Sequence, residues 1–333
     1  MRGFLTPGFA LSGQQNLNND GGVVGTDNTP VVNDLITSFT SPGTFTGASP
    51  LNTQGGTGKL VVVGGGGGAS QQGGGGGSGG VIVVNSIPLT PGVPVTIGSG
   101  GASAGNALGN PGNNTVWNGP VVYTAQGGGG SGRKQPNYTP PGPSYNGQSG
   151  GSGGGGGKGS NNPQQNTPAG NGSQPSQPAP GANQNLGNPG GPGTATYGPY
   201  DNRVGGGGGG AGQAGGYDPV GGVSPATGGL GIPVFPSKTA QPATDEGWVG
   251  GGGRGPGSPG TGGGGVGGYL TPPPGKNGTG GGGGSCYNGG SQGGGGGSGG
   301  VHVFEAKAGP RNVSGFWTAK GVYSAVVDDN WTN

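Results

Sequence analysis

Apolar positions in this chain come in short bursts with the period of a β-strand, set between long stretches of glycine and uncharged polar residues. Leu35 to Thr46 alternates around Pro42-Gly43 and predicts two short strands flanking a turn. Lys59-Leu60-Val61-Val62-Val63 and Val81-Ile82-Val83-Val84 predict strands that enter and leave a glycine block. The segment from Ile87 to Ile97 predicts two more strands about Pro91-Gly92, and Pro88 and Pro94 mark them as edge strands, because proline cannot donate to a ladder. One pattern recurs. Gln71-Gln72, five glycines, Ser78-Gly79-Gly80 and Val81-Ile82-Val83-Val84 are echoed by Ser291-Gln292, five glycines, Ser298-Gly299-Gly300 and Val301-His302-Val303-Phe304. The echo predicts that the two strands share one sheet and close the glycine region. Near the end, Ala319, Val322, Tyr323 and Val326 fall on one face of a short helix between Trp317 and Trp331.

Between the strands stand uninterrupted glycine runs at 64–68, 73–77, 205–210, 250–253, 262–265, 280–284 and 293–297, and 101 of the 333 residues are glycine. Glycine loses more backbone freedom on ordering than any other residue, so the runs are either disordered or built into something only glycine can form. No Gly-X-Y period is present, which excludes a collagen triple helix. A flexible linker fits the composition but not the β-branched strands fused directly to the runs. The alternative is an extended threefold helix of the polyproline II type, with about 3.1 Å rise per residue. Such a helix makes no internal hydrogen bond, so every N–H and C=O points sideways and must be met by a neighbour. Without side chains, neighbours come close enough to meet them. At a net ~0.5–1.5 kcal/mol per hydrogen bond against ~1–2 kcal/mol of backbone entropy per residue, such a slab is marginal alone and needs β structure to close its ends.

The fold class expected is therefore mostly non-regular and β: a bundle of polyglycine II helices capped by short antiparallel strands, with one short C-terminal helix. Four stretches follow: an attachment arm at 1–35, a strand-rich part with the first glycine block at 36–126, the glycine slab with Pro/Asn-rich loops at 127–305, and a docking segment at 306–333.

Charge and chemistry narrow the function by exclusion. Only 26% of residues are hydrophobic, too few for an ordinary core of this length, and a net charge of +2 gives no overall footprint for nucleic acid or an anionic membrane. No apolar stretch approaches the ~20 residues of a membrane span, and the first residues lack the apolar segment of a secretory signal. Cys286 and His302 are the sole cysteine and histidine, so no disulfide framework, His/Cys metal cluster or Ser-His-Asp triad is expected. His302 alternates with valines and reads as a solvent-facing strand residue. The phosphate-loop pattern fails because Lys59 is followed by Leu60 and Lys158 by Gly159, where Ser or Thr is needed. Asp245-Glu246 reads as a solvated pair. The reading is no enzyme, no cofactor and no metal.

The ordered series from Phe39 through Thr46, Lys59 through Gly68, Gly79 through Val84, Leu89 through Gly101, and the exit Gly299-Gly300-Val301-His302-Val303-Phe304 resembles the glycine-rich domain of bacteriophage tail and tail-fibre proteins. The tail Ser314-Gly315-Phe316-Trp317 with Val322-Tyr323 and Trp331 is similar to a short C-terminal motif of phage structural proteins, with Phe316 where that motif carries Val. The resemblance implies a virion protein assembled in the host cytoplasm, similar in kind to the tail-tip adhesins of T-even-like phages. It implies other virion proteins, further copies of itself and a host-surface glycan or outer-membrane protein as partners, with no membrane insertion. Receptor contacts are expected from connector aromatics, Trp117, Tyr138, Tyr145, Tyr197, Tyr200, Trp248 and Tyr269, because Tyr and Trp offer large rigid contact area. Each of these, taken alone, also reads as a loop anchor packed on its own slab. Subunit docking is expected from Phe4, Leu5, Phe9, Trp317, Val322, Tyr323 and Trp331. Two alternatives stay open: an architectural capsid or tail decoration with no receptor role, and a secreted glycine-rich matrix or ice-binding protein.

Overall fold

The structure, a computed structural model, describes residues 35–47, 57–136, 142–159, 166–175, 183–194, 205–217, 226–234, 247–255, 259–268, 272–286 and 292–305. Among these residues it is strand and irregular extended chain, with no α-helix and a single 3₁₀ turn at Pro143–Tyr145. The strands are β1 (Leu35–Phe39), β2 (Gly43–Phe45), β3 (Thr57–Val63), β4 (Val81–Pro88), β5 (Val93–Thr96), β6 (Thr115–Asn118), β7 (Val122–Ala125), β8 (Asn183–Leu186), β9 (Ile232–Pro233), β10 (Trp248–Val249) and β11 (Gly300–Glu305). They form three antiparallel sheets, ordered β1-β11-β3-β4-β8, β2-β5-β6-β7 and β10-β9. The helix expected near the C-terminus lies outside the described residues.

The internal echo has a structural counterpart. β4 and β11, the strands that follow its two copies, both pair with β3, one on each side. Val61 faces Val83 across one ladder and His302 across the other. Period-two alternation then sends the sheet's apolar residues to both faces. Leu60, Val62, Ile82, Val84, Val301 and Val303 pack against Phe45, Val93, Val95, Trp117 and Tyr123 of the four-stranded sheet. Val61, Val63, Val81, Val83 and Phe304 pack on the opposite side against Ala211, Val234 and Val249. At about 1.5–3 kcal/mol for each fully buried Val or Leu, this small sandwich supplies apolar stabilisation that the glycine segments lack.

That second covered face corrects the expectation for His302. The imidazole is buried, not solvent-facing, because the side of the sheet it shares with Val61 is roofed by residues that arrive from far along the chain. Its Nδ1 lies 2.9 Å from the Ser38 hydroxyl, and burial lowers its pKa from 6.5 to about 4. The two prolines need a smaller correction. By strand order β4 and β5 are interior, not edge, strands. Each proline nonetheless sits where one side of its strand is unpaired: β8 covers only Val81 to Val84, leaving Pro88 beyond it, and β6 pairs with Val95 and Thr96 but not with Pro94.

The glycine runs continue directly from the strands and bond to one another in a three-residue rhythm. The N–H groups of Gly64 and Gly67 donate to the carbonyls of Gly80 and Gly77, those of Gly65 and Gly68 to Asn113 and Asn110, and those of Gly66 and Ala69 to Gly297 and Gly294. The carbonyls of Gly65 and Gly68 accept from Gly128 and Ser131, that of Gly66 from Gly101 and that of Gly67 from Gly283. One run is thus bonded to six neighbouring segments, the three it donates to running antiparallel to it. The next run repeats the rhythm: Gly74, Gly77 and Gly80 donate to Gly132, Gly129 and Gln126, and Gly75 and Ser78 to Gly206 and Gly209. Residues 64–80 are therefore interleaved with segments near 130, 155, 208, 253, 283 and 296, and β11 and β8 complete the sheet begun by β3 and β4, so the described parts of the strand-rich and glycine-rich stretches build one body.

Close approach explains why the residue is glycine. A Cβ at Gly66 would overlap the carbonyl of Gly281, and one at Gly76 that of Gly67. Where a side chain does enter, it meets another small one. Ser78 and Ser152 stand hydroxyl to hydroxyl, and the Ser70 N–H donates to Ser131 Oγ at 2.8 Å while Ser70 Oγ donates to the Gly132 carbonyl at 2.9 Å. Among the described glycines of the seven runs, positive φ occurs only at Gly250, Gly262, Gly263 and Gly280, all within the first two positions of a run.

Candidate functional site

The described residues that flank the connectors lie at two opposite ends of the glycine segments. The sheet end is fixed by Val63-Gly64, Gly80-Val81, Ala125-Gln126 and Gly299-Gly300, where strands become glycine segments. At the far end, backbone bridges join Ser70 to Ala104, Gln71 to Cys286 and Gly268 to Cys286. Further hydrogen bonds there run from Gln135 to Lys158, from Gly159 to Thr194 and from Gly255 to Ala226. The described residues that flank 137–141, 160–165, 195–204, 218–225, 256–258, 269–271 and 287–291 all lie at this far end, whereas those flanking 176–182 and 235–246 lie at the sheet end.

The far end also collects charge. Six basic residues are described, and four of them, Arg133, Lys134, Lys158 and Arg254, sit there, while the only described acidic residue, Glu305, is buried in β11 at the opposite end. Arg133 is positioned twice over. Its guanidinium carbon lies 5.0 Å from the centroid of the Tyr145 ring, and Nη1 donates to the Asn106 carbonyl at 3.2 Å. Tyr145 is in turn fixed by the 3₁₀ turn that follows Gly142 and by its carbonyl, which accepts from Gly157 at 2.9 Å. Lys158 is brought alongside by the Gln135 N–H, which donates to its carbonyl at 2.9 Å. Burial lowers the pKa of Arg254, but a guanidinium is so strongly basic that it stays cationic.

The expected contact aromatics are placed differently from one another. Trp117 is 2% exposed in the core between the two large sheets, its ring 5.5 Å from that of Phe45, so it anchors the sandwich and presents nothing to a partner. Tyr145 is 8% exposed and serves as the support beneath Arg133. Trp248 is half-buried in β10, at the sheet end. Tyr138, Tyr197, Tyr200 and Tyr269 lie outside the described residues, in segments whose flanks are at the far end. Phe4, Leu5, Phe9, Trp317, Val322, Tyr323 and Trp331 also lie outside them. The exposed Tyr217, beside the 218–225 connector at the far end, was not among the expected contacts, and neither was Arg133. Their signal was positional, since each sits just where a glycine segment gives way to a connector.

Among the described residues no group of three or more His, Cys, Asp or Glu could hold a metal ion, and no helix is long and apolar enough to cross a membrane. No protein-family model matches the chain, and no curated protein matches it.

Proposed function

We propose that this chain is a non-enzymatic structural protein of a bacteriophage tail or tail fibre, in which a slab of polyglycine II helices carries connector loops toward a host surface. The support for the helices is the rhythm of the main-chain bonds: N–H groups three residues apart go to the same neighbour, as expected of about three residues per turn with no internal hydrogen bond. The observation that carries the role is the sorting of connectors. The described residues on either side of seven connectors lie at the end away from the sheets, and those connectors hold four of the seven aromatics expected as contacts.

A stiff slab whose described segments are held to one another chiefly by main-chain bonds tolerates change in the connectors. That is the physical requirement for a variable receptor-binding face on a constant support. Labelling with antibodies to the chain, viewed on particles by electron microscopy, tests the role directly: label at the tail or fibre tip is expected, and label confined to the capsid favours the architectural alternative. Competition of particle adsorption by the purified chain separates an adhesin, which competes, from a connector, which does not.

A further inference from the structure

We propose that the cluster around Arg133 at the far end binds an anionic saccharide polymer of a cell surface, one bearing uronic carboxylates or sugar phosphates. This rests on the reading of the far end as the host-facing surface and names the chemistry that surface takes.

Three features carry it. First, Arg133, Lys134 and Lys158 are gathered by adjacent segments, with the Gln135 to Lys158 backbone bond holding those segments together, and no acidic side chain is described at that end. The patch is therefore cationic in a chain whose net charge is only +2. Second, the Arg133 guanidinium is pre-positioned by the Tyr145 ring and the Asn106 carbonyl, so little side-chain freedom remains to be lost when it meets a carboxylate or phosphate. Third, the surroundings suit a hydroxyl-rich ligand. Asn106, whose carbonyl accepts from Arg133, and Asn146, next to Tyr145, stand beside the cluster, and none of the large hydrophobic side chains exposed among the described residues, Val122, Tyr217, Leu230 and Val266, lies in the segments that form it. A protein partner would need an apolar centre to the contact. A nucleic acid would need a longer run of phosphate-spaced cations than three.

The test is a titration of the intact chain with polygalacturonate, phosphorylated mannan, neutral dextran and polyglutamate, followed calorimetrically at low and at physiological salt. Binding to one or both of the first two is expected, the tighter one identifying carboxylate or phosphate as the charge recognised, with none to dextran. Replacing Arg133, Lys134 and Lys158 together by Gln should weaken that binding at least tenfold, while Arg133→Lys, which keeps the charge but loses the planar fork, should weaken it severalfold. Retained amide-exchange protection at Gly66 and Gly76 in these variants shows that the lattice is intact. Equal binding to dextran, equal binding to polyglutamate, absence of binding to both anionic polysaccharides, or an unaffected triple variant each overturns the proposal. A chain that decorates tail tips and competes adsorption yet ignores these polymers would sink this inference alone. A chain that binds them but is absent from the tail would sink the functional reading instead.

Discussion

Ser78 and Ser152, 74 positions apart in sequence, meet hydroxyl to hydroxyl at 3.0 Å inside the glycine lattice. Ser78 Oγ also lies 3.1 Å from the Gly79 carbonyl. Each hydroxyl has one proton, so the arrangement that satisfies both has Ser152 donating to Ser78 and Ser78 donating to that carbonyl. Alanine at either position is expected to cost about 1 kcal/mol, and the double variant less than the sum, with a coupling of about 0.5–1 kcal/mol. A double-mutant cycle by denaturant unfolding measures it; additive costs would mean that the two hydroxyls do not interact.

Neighbouring glycines of one run should respond in opposite ways. A Cβ at Gly295 would meet nothing closer than the Gly101 carbonyl at 3.4 Å, an ordinary contact, whereas one at Gly296 would overlap the Gly66 carbonyl. Gly295→Ala is expected to shift stability by no more than about 1 kcal/mol, and Gly296→Ala to cost at least ~3 kcal/mol or prevent folding. Soluble yield and thermal melting of the two variants decide it.

His302 should make the fold sensitive to acid. Its native pKa of about 4 lies below the unfolded value of 6.5, so between those values the unfolded chain binds a proton that the native state refuses. Stability is then unaffected by this group above about pH 6.5, falls as the pH drops toward 4, and has lost roughly 3 kcal/mol there. Ile82 occupies the matching place in the other copy of the echo, so His302→Ile is the natural replacement. Unfolding free energies at pH 7, 5.5 and 4 should converge toward a pH-independent value in that variant, apart from what other groups contribute.

Trp117→Ala should cost about 3–5 kcal/mol, the range for emptying a large buried aromatic site, and Trp117→Phe distinctly less. Melting temperature provides the readout. Any loss of adsorption in these variants should track the loss of folded protein, because the ring faces Phe45 and not solvent.

The strands most easily read from sequence were those whose apolar alternation runs straight into glycine: β3, β4 and β11, including the placement of the last two in one sheet. The β6–β7 hairpin also carries a sequence signature, Trp117 and Tyr123 flanking Asn118-Gly119-Pro120, which competes with the reading of Trp117 as a connector aromatic. By contrast β8, Asn-Gln-Asn-Leu, has no apolar alternation and becomes a strand only because the edge of β4 is available to it. The burial of His302 was equally out of reach, since it depends on Ala211, Val234 and Val249 covering a face that local sequence leaves open. Which end the residues flanking each connector reach follows from the number of times the chain crosses the lattice, and glycine runs of similar length give no marker of direction.

The restriction of positive φ to the opening positions of three runs has a consequence for chirality. Glycine is its own mirror image, and a threefold strand of pure glycine winds equally well in either sense. On the proposed polyglycine II reading, Ala69, Ser70, Ser78, Ser131, Ser152 and Ala211 are not indifferent, because an L residue resists the mirror-image backbone that glycine accepts. On that reading a handful of methyl and hydroxymethyl groups selects one enantiomorph for a lattice that is otherwise blind to the difference.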